Sequence, residues 1–362
     1  MPLLTPRPAL RSTAVSLAVG TFMLSGLACS AWAAGPQKTT RAISTEGGVR
    51  VVDVAMTMRG FSLPTSLPAG FTTFRATTAD PTGHALQGFQ LNKGVTLAQV
   101  ESEFKRVVSS NPATDASAIR ALERDVTAVG GPTVDPATAV SATLPLTAGT
   151  YYFFDFSTLF APGQPVRFLK VSVTGRFANN EPRHHGEIIQ TERNGKPRFI
   201  VPAHLNLNDT FLVRNDTKTE FHEAVFQQVK PGTTDTDVQA AFDATAHGKK
   251  PPSNPFTEQA MRGAGALSPG RSQLLHFEPS AGLYALLCFI PDDQSGLPHA
   301  FEGMHQVVRL AKLPAGATHT GVGGAVSGPE PFESAVGGVL VMASAMGAVT
   351  LVRRRRLVRG NA

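Results

Sequence analysis

Cys288 stands in the run Tyr284-Ala-Leu-Leu-Cys288-Phe-Ile-Pro291, and His299 and Met304 follow it, with Gly303 just before the methionine. The chain has two cysteines, and the other, Cys29, falls in a leader that reads as removable. An exported chain left with one cysteine cannot close an internal disulfide in a compartment that favours disulfides, so Cys288 needs another explanation. A thiolate and two imidazoles suit copper in a trigonal plane, and a thioether supplies the weak axial contact that helps set its potential. Cys, His and Met in this order, with a histidine at the end of an earlier strand, make up such a donor set. The earlier histidine is His222, which follows a strand-like run ending at Arg214-Asn215 and a short polar loop. The alternatives are a buried, inert strand cysteine and, among the donors, His305, next to Met304, as a substitute ligand. The other histidines (His184, His185, His204, His247, His276 and His319) read as surface or linker residues.

Donors so far apart in sequence need a framework, and an internal repeat supplies one. Gly83-His84 followed by Leu91, Gly94, Leu97 and Val100 matches Phe221-His222 followed by Val229, Gly232, Asp235 and Val238 at an offset of 138. Further on, Ala148-Gly149-Thr150-Tyr151 matches Ala281-Gly282-Leu283-Tyr284 at an offset of 133, as a short loop deletion would produce. The repeat defines two units, 46–176 and 187–312. In each, short β-rich runs alternate with turn residues: 71–79, 151–156 and 168–173 in the first, and 210–215, 224–229, 274–277, 284–290 and 306–310 in the second. The expected fold class is mainly β, two tandem Greek-key β-sandwiches with short helical insertions. Leu97, Val100, Phe104 and Val107 share one helix face, as do Val238, Ala241 and Phe242. Tyr151, Tyr152 and Tyr284 follow Ala-Gly turns, which fits either a tyrosine corner, its hydroxyl tied to upstream backbone, or ordinary strand aromatics.

Residues 187–312 resemble the cupredoxin family, in particular exported bacterial members with a Pro-Asp and Gly-x-Pro-His loop, here Pro291-Asp292 and Gly296-Leu-Pro298-His299, followed by Gly303-Met304. The resemblance implies one type 1-like copper held by His222, Cys288, His299 and Met304. The stretch 289–298 between Cys288 and His299 is longer than in the family's small electron carriers, and its length predicts a less rigid loop. In the first unit His84 keeps the place of His222, but Asp155 falls where Cys288 would be. That unit, 46–176, reads as a degenerate cupredoxin-like copy with His84 a leftover.

The two ends place the chain. Residues 1–33 carry Arg7 and Arg11, an apolar run and Ala31-Trp32-Ala33, the order of a secretory signal peptide. Residues 335–352 lack any charge and meet four arginines at once, Arg353 to Arg356. They read as a single transmembrane helix with a cytoplasmic tail, 353–362, and all that precedes it on the outer side. Residues 313–334, rich in Gly and Pro, read as a flexible linker. Setting aside the seven arginines of leader and tail turns the formal +6 into −1, so no nucleic acid partner is implied.

The expected protein is therefore a cell-membrane copper protein for electron transfer or copper holding, with an unnamed redox partner protein. The alternative is a metal-free cell-surface interaction module. No His-x-His pair of a second copper site, nucleophile elbow, phosphate loop or HExxH helix is present, so a non-catalytic role is expected.

Overall fold

Along the strand Gly70–Thr78, Thr72, Phe74 and Ala76 are buried while Phe71, Thr73 and Arg75 are only half so. This period of two marks a sheet with one face on a core. The computed structural model describes residues 43–312 apart from 47, 137, 162–165, 178–180 and 258–259. The leader, linker, membrane span and basic tail expected from the sequence lie outside the described residues. Among the described residues no helix is long and apolar enough to cross a membrane.

The first unit runs β1 (Ile43–Glu46), β2 (Val49–Met56), β3 (Ser66–Pro68), β4 (Gly70–Thr78), β5 (His84–Leu91), α1 (Leu97–Arg106), α2 (Pro112–Asp125), β6 (Val126–Gly130), β7 (Pro132–Val134), β8 (Val140–Leu146), β9 (Gly149–Asp155) and β10 (Leu169–Thr174). The second runs β11 (Gly186–Arg193), β12 (Lys196–Ile200), β13 (His204–Asn206), β14 (Thr210–Asn215), β15 (His222–Val229), α3 (Asp235–Ala246), β16 (Arg262–Leu267), β17 (Ser272–Phe277), β18 (Gly282–Leu287) and β19 (His305–Ala311).

One sheet has the order β1-β2-β4-β8-β17-β14-β11-β12, and the other β13-β19-β18-β15-β16-β6-β5-β9-β10-β3, with β7 paired to β16 and β5. The halves of each sheet repeat one another. β2 runs parallel to β4 as β11 does to β14, and β3 parallel to β10 as β13 does to β19. Aromatic rings close the space between the sheets in both units, Phe74 to Phe153 at 5.0 Å and Phe226 to Phe277 at 5.2 Å. The protein is thus mainly β, built of two sheets with few helices.

The repeat extends to polar detail. Thr96 caps α1 in a capping box with Gln99, and Thr234 caps α3 with Asp237, the same offset of 138. The Tyr151 hydroxyl donates to the Thr147 carbonyl at 3.1 Å, and that of Tyr284 to the Ser280 carbonyl at 3.0 Å, the same offset of 133. Both are tyrosine corners. Tyr152 is an ordinary strand aromatic, its ring stacked 5.7 Å from Phe89.

The sandwiches are joined edge to edge. β8 pairs antiparallel with β17, Thr143 opposite Leu274 and Val140 opposite Phe277, while β16 pairs with β6 and β7. Edge strands that would otherwise expose backbone donors and acceptors are consumed in this way. Two buried glutamines stitch the seam. Gln87 accepts from the Ala266 N–H at 2.7 Å and donates to the Ala266 carbonyl at 3.0 Å. Gln273 accepts from the Gly131 N–H at 2.9 Å and donates to the Gly265 carbonyl at 2.9 Å. Arg262 and Asp135 form a buried ion pair across the same seam.

Helix α2 is an addition to the sequence-based expectation, with Asn111 as N-cap and Pro112 in the first turn. It buries Ala118, Ile119 and Leu122, and its outer side reaches the second unit, as described next.

Candidate metal centre

Three elements bring the predicted donors together. His222 opens β15, where the pairing with β16 shifts register between His222 and Ala224, and such a bulge re-aims the side chain that starts the strand. Cys288 directly follows β18, the neighbour of β15 in the sheet. His299 opens a short 3-10 turn, His299–Glu302. All three side chains are fully buried, and so is Met304.

The stretch 289–298 is braced rather than slack. His299 N–H donates to the Ile290 carbonyl at 3.0 Å, Ala300 N–H to Cys288 at 2.7 Å, Asp292 N–H to Leu297 at 2.8 Å and Gly296 N–H to Asp292 at 2.9 Å. The Asp292 carboxylate accepts from the Ser295 and Gln294 N–H groups at 2.6 and 2.9 Å. Burial opposes its charge, but these bonds outweigh burial and hold it below the usual carboxylate range. Gly303 closes the turn with φ 94°, the left-handed region that favours glycine. Met304 N–H then donates to the His299 carbonyl at 2.9 Å.

The donor atoms converge. His222 Nδ1 lies 3.1 Å from His299 Nδ1, and Cys288 Sγ lies 3.8 and 3.6 Å from the two nitrogens. A triangle with these edges has its centre about 2.0 Å from each corner, close to ordinary metal–imidazole and metal–thiolate bond lengths of about 2.0 and 2.3 Å. The residues therefore fit a metal ion. Burial pushes the Cys288 thiol well up, helped by the Glu223 carboxyl, while Glu223 and Ile290 N–H groups favour the thiolate. Burial and the neighbouring His299 hold His222 well below the usual histidine value, which keeps its ring neutral and its lone pair free. A metal here takes the place of the thiol proton.

Glu223 ties the strands that carry the donors. Its N–H points at Cys288 Sγ at 3.5 Å, and its carboxylate accepts from the Phe289 N–H at 2.9 Å. Burial raises this carboxyl to about 7. Glu220, two residues before His222, is also buried, and it joins Asp292 and His299 in a second group of donors within 4.8 Å of one another.

Helix α2 of the first unit covers this end of the second. The Glu123 carboxylate accepts from the Phe221 N–H at 3.1 Å, Arg120 donates to the Asp293 carbonyl, and Gly296 leaves no room for a Cβ against the Pro112 carbonyl oxygen. Burial, with Asp293, Glu220 and Asp292 nearby, raises Glu123 to about 8, against the opposing hydrogen bond from Phe221.

A bulged strand that begins on one histidine, a paired strand that ends on the cysteine, and a tight turn from the second histidine to methionine form a type 1-like arrangement on a two-sheet framework. The fold is cupredoxin-like. No family model matches the sequence, and no curated protein matches it. Solved structures similar to it include dithionite-reduced auracyanin from Roseiflexus castenholzii, 20% identical over 36% of this chain and 99% of that one, with a TM-score of 0.23. Auracyanin A from Chloroflexus aurantiacus, a blue copper protein, is 20% identical over 35% of this chain and 100% of its own, with a TM-score of 0.24. The copper nitrite reductase of Nitrosomonas europaea is 12% identical over 73% of this chain and 94% of its own, with a TM-score of 0.20. Likeness at this level carries no argument, and the cupredoxin-like reading rests on the strands and donors themselves. An enzyme stands among these structures, so they lend no support to the expected non-catalytic role.

Of the other sequence candidates, His305 turns away. Its Nε2 lies 2.9 Å from Gln239 on α3 and its Nδ1 3.4 Å from Asp235. His84 faces Asp155 instead of a thiol, with Nδ1 2.6 Å from Oδ2. His184, His185, His204, His247 and His276 are exposed or half-exposed, and His319 lies outside the described residues. Glu220, Glu223 and α2 escaped the sequence reading. The cap Asn111-Pro112 and the apolar spacing of Ala118, Ile119 and Leu122 were the signals for α2; no spacing rule marks the two glutamates.

Proposed function

We propose that the second cupredoxin-like unit binds one copper ion through His222, Cys288 and His299 with Met304 as the axial donor, and that the protein serves one-electron transfer or copper holding outside the cell. The convergence of two Nδ1 atoms and one sulfur on a point about 2.0 Å from each carries this reading. When bound, copper supplies a one-electron couple. The chain fixes both imidazoles by burial, points the Glu223 N–H at the thiolate sulfur, and keeps water from the donors. The braced 289–298 loop favours small rearrangement of the donors between oxidation states, which suits electron transfer.

The wider setting belongs to the same proposal. The leader 1–33, the apolar run 335–352 and the arginines after it support a single-pass chain tethered at its C-terminus, its described units on the extracytoplasmic side. A redox partner protein would then meet it there.

The test is titration of the purified full-length chain in detergent with Cu(II), read by visible absorption and metal analysis. One copper per chain and a strong thiolate charge-transfer band, lost in Cys288→Ser, are expected. A chain that takes up no stoichiometric copper sinks the proposal in favour of a metal-free interaction module.

A further inference from the structure

The rings of His222 and His299 turn their Nδ1 atoms to Cys288, so their Nε2 atoms face the other way, into protein. Both Nε2 atoms are buried and, among the described residues, lack a hydrogen-bond partner. The Glu220 carboxylate faces both: Oε2 is 3.8 Å from His222 Nε2, and Oε1 is 3.6 Å from His299 Nε2, with the Asp292 carboxylate also within 4.8 Å on the His299 side. The Glu220 side chain is only 10% exposed. Its main chain is held, since the Glu220 carbonyl accepts from Asn215 Nδ2 at 2.8 Å and from the Thr217 hydroxyl at 3.2 Å. Among the described residues its ion-pair contacts are with these two histidines.

A neutral imidazole that gives its Nδ1 lone pair to a metal carries its proton on Nε2. Copper binding through both Nδ1 atoms therefore leaves two buried N–H donors, each aimed at its own oxygen of Glu220. The separations are longer than a hydrogen bond, and a small swing of the carboxylate or of either ring closes them. A carboxylate behind a ligating histidine fixes its tautomer and orientation and makes it more basic.

We propose that Glu220 is a positioning residue shared by both histidine ligands, accepting from each Nε2–H and biasing the bound copper toward Cu(II) with its negative charge. The proposal rests on the copper reading above. It also assigns a role to the loop 216–221, which sets that carboxylate between the two rings.

The experiment compares wild type, Glu220→Gln and Glu220→Ala as full-length chains, measuring copper stoichiometry, the thiolate band, and the dissociation constants for Cu(I) and Cu(II). Glu220→Gln should still bind one copper with a thiolate band, while the affinity ratio moves toward Cu(I) by about tenfold or more, the scale of one charge removed from a buried site. Glu220→Ala should shift the ratio similarly and broaden the spectrum, because both rings lose their acceptor. A purely structural role would lower stability and leave the ratio where it was, and that result overturns the proposal. So does a second equivalent of Zn(II) bound by copper-loaded wild type and lost in Glu220→Gln, which would make Glu220 a metal ligand with Asp292. Should the variants fail to fold, NMR of Cu(I)-loaded wild type with nitrogen-labelled histidine decides: two slowly exchanging Nε2–H protons are expected, and rapid exchange refutes it. Wild type with no copper defeats the copper reading and this one together, whereas a normal band with an unchanged ratio defeats only the role of Glu220.

Discussion

His84 Nδ1 lies 2.6 Å from Asp155 Oδ2, at the places in the first unit that His222 and Cys288 hold in the second. Asp155 Oδ1 accepts from the Ala85 and Ser157 N–H groups at 3.1 and 3.0 Å, and Asp80 lies 3.5 Å from His84 Nε2. Where the second unit leaves a thiol and a second imidazole convergent on a point, the first closes the same space with an ion pair. A carboxylate opposite a histidine satisfies it directly, so this unit keeps the framework and spends its histidine on internal cohesion.

That ion pair predicts a pH dependence. Burial draws the His84 pKa down, but the hydrogen bond and charge of Asp155, with Asp80, outweigh burial and raise it above the usual 6.5. The folded state then holds a proton that the unfolded chain releases, so the stability from this pair is full below about 6.5 and is lost as pH rises through the folded value. Denaturant unfolding of wild type and Asp155→Asn from pH 5.5 to 9 should show the gap between them narrowing as pH rises. A constant gap would count against the charged pair.

Glu123 predicts a second slope. Its carboxyl is raised from 4.5 to about 8, so the folded state holds a proton over that range and stability falls as pH rises through it. Glu123→Gln keeps an acceptor for the Phe221 N–H and should flatten this part of the profile, making the variant more stable than wild type above pH 8. Equal slopes in the two proteins would show that Glu123 is ionised in the folded chain.

Copper removal should register in stability. A ligand that binds only the folded state at about 100 times its dissociation constant stabilises by about 2.7 kcal/mol. Saturating copper should raise the melting temperature of wild type, and chelation should reverse the rise. Cys288→Ser should lose most of it, and an equal rise in the variant would place the metal elsewhere.

The tyrosine corners should be energetically equivalent across the repeat. Tyr151→Phe and Tyr284→Phe each delete a hydroxyl that donates to a carbonyl four residues upstream, and each should cost about 1 to 2 kcal/mol. Denaturant midpoints of the two variants measure this, and a cost at only one of them would mean that the repeat is geometric but not energetic.

Much was legible in the residues themselves. Period-two burial, the Ala-Gly turns before Tyr151 and Tyr284 and the apolar faces of α1 and α3 are local patterns, set by the pitch of strand and helix. The repeat offsets of 138 and 133 matched His84 to His222 and Asp155 to Cys288, so the loss of the cysteine in the first unit was visible as an identity. The donors Cys288, His299 and Met304 sit close in sequence, and their order, with His222 upstream, suggested copper.

What the sequence by itself determined was therefore local geometry, repetition and the donor types, because each depends on neighbours within a few residues or on matching one segment to another. The tertiary structure decided the rest. It joined the sandwiches through β8 and β17, laid α2 over the far unit by Glu123 and Phe221, 98 residues apart, and bonded Gln87 to Ala266 across 179. It also set the Glu220 carboxylate between two imidazoles, one of them supplied by a distant loop. Contacts of this kind leave no periodic trace, since side chains far apart along the chain meet only where folding brings them together.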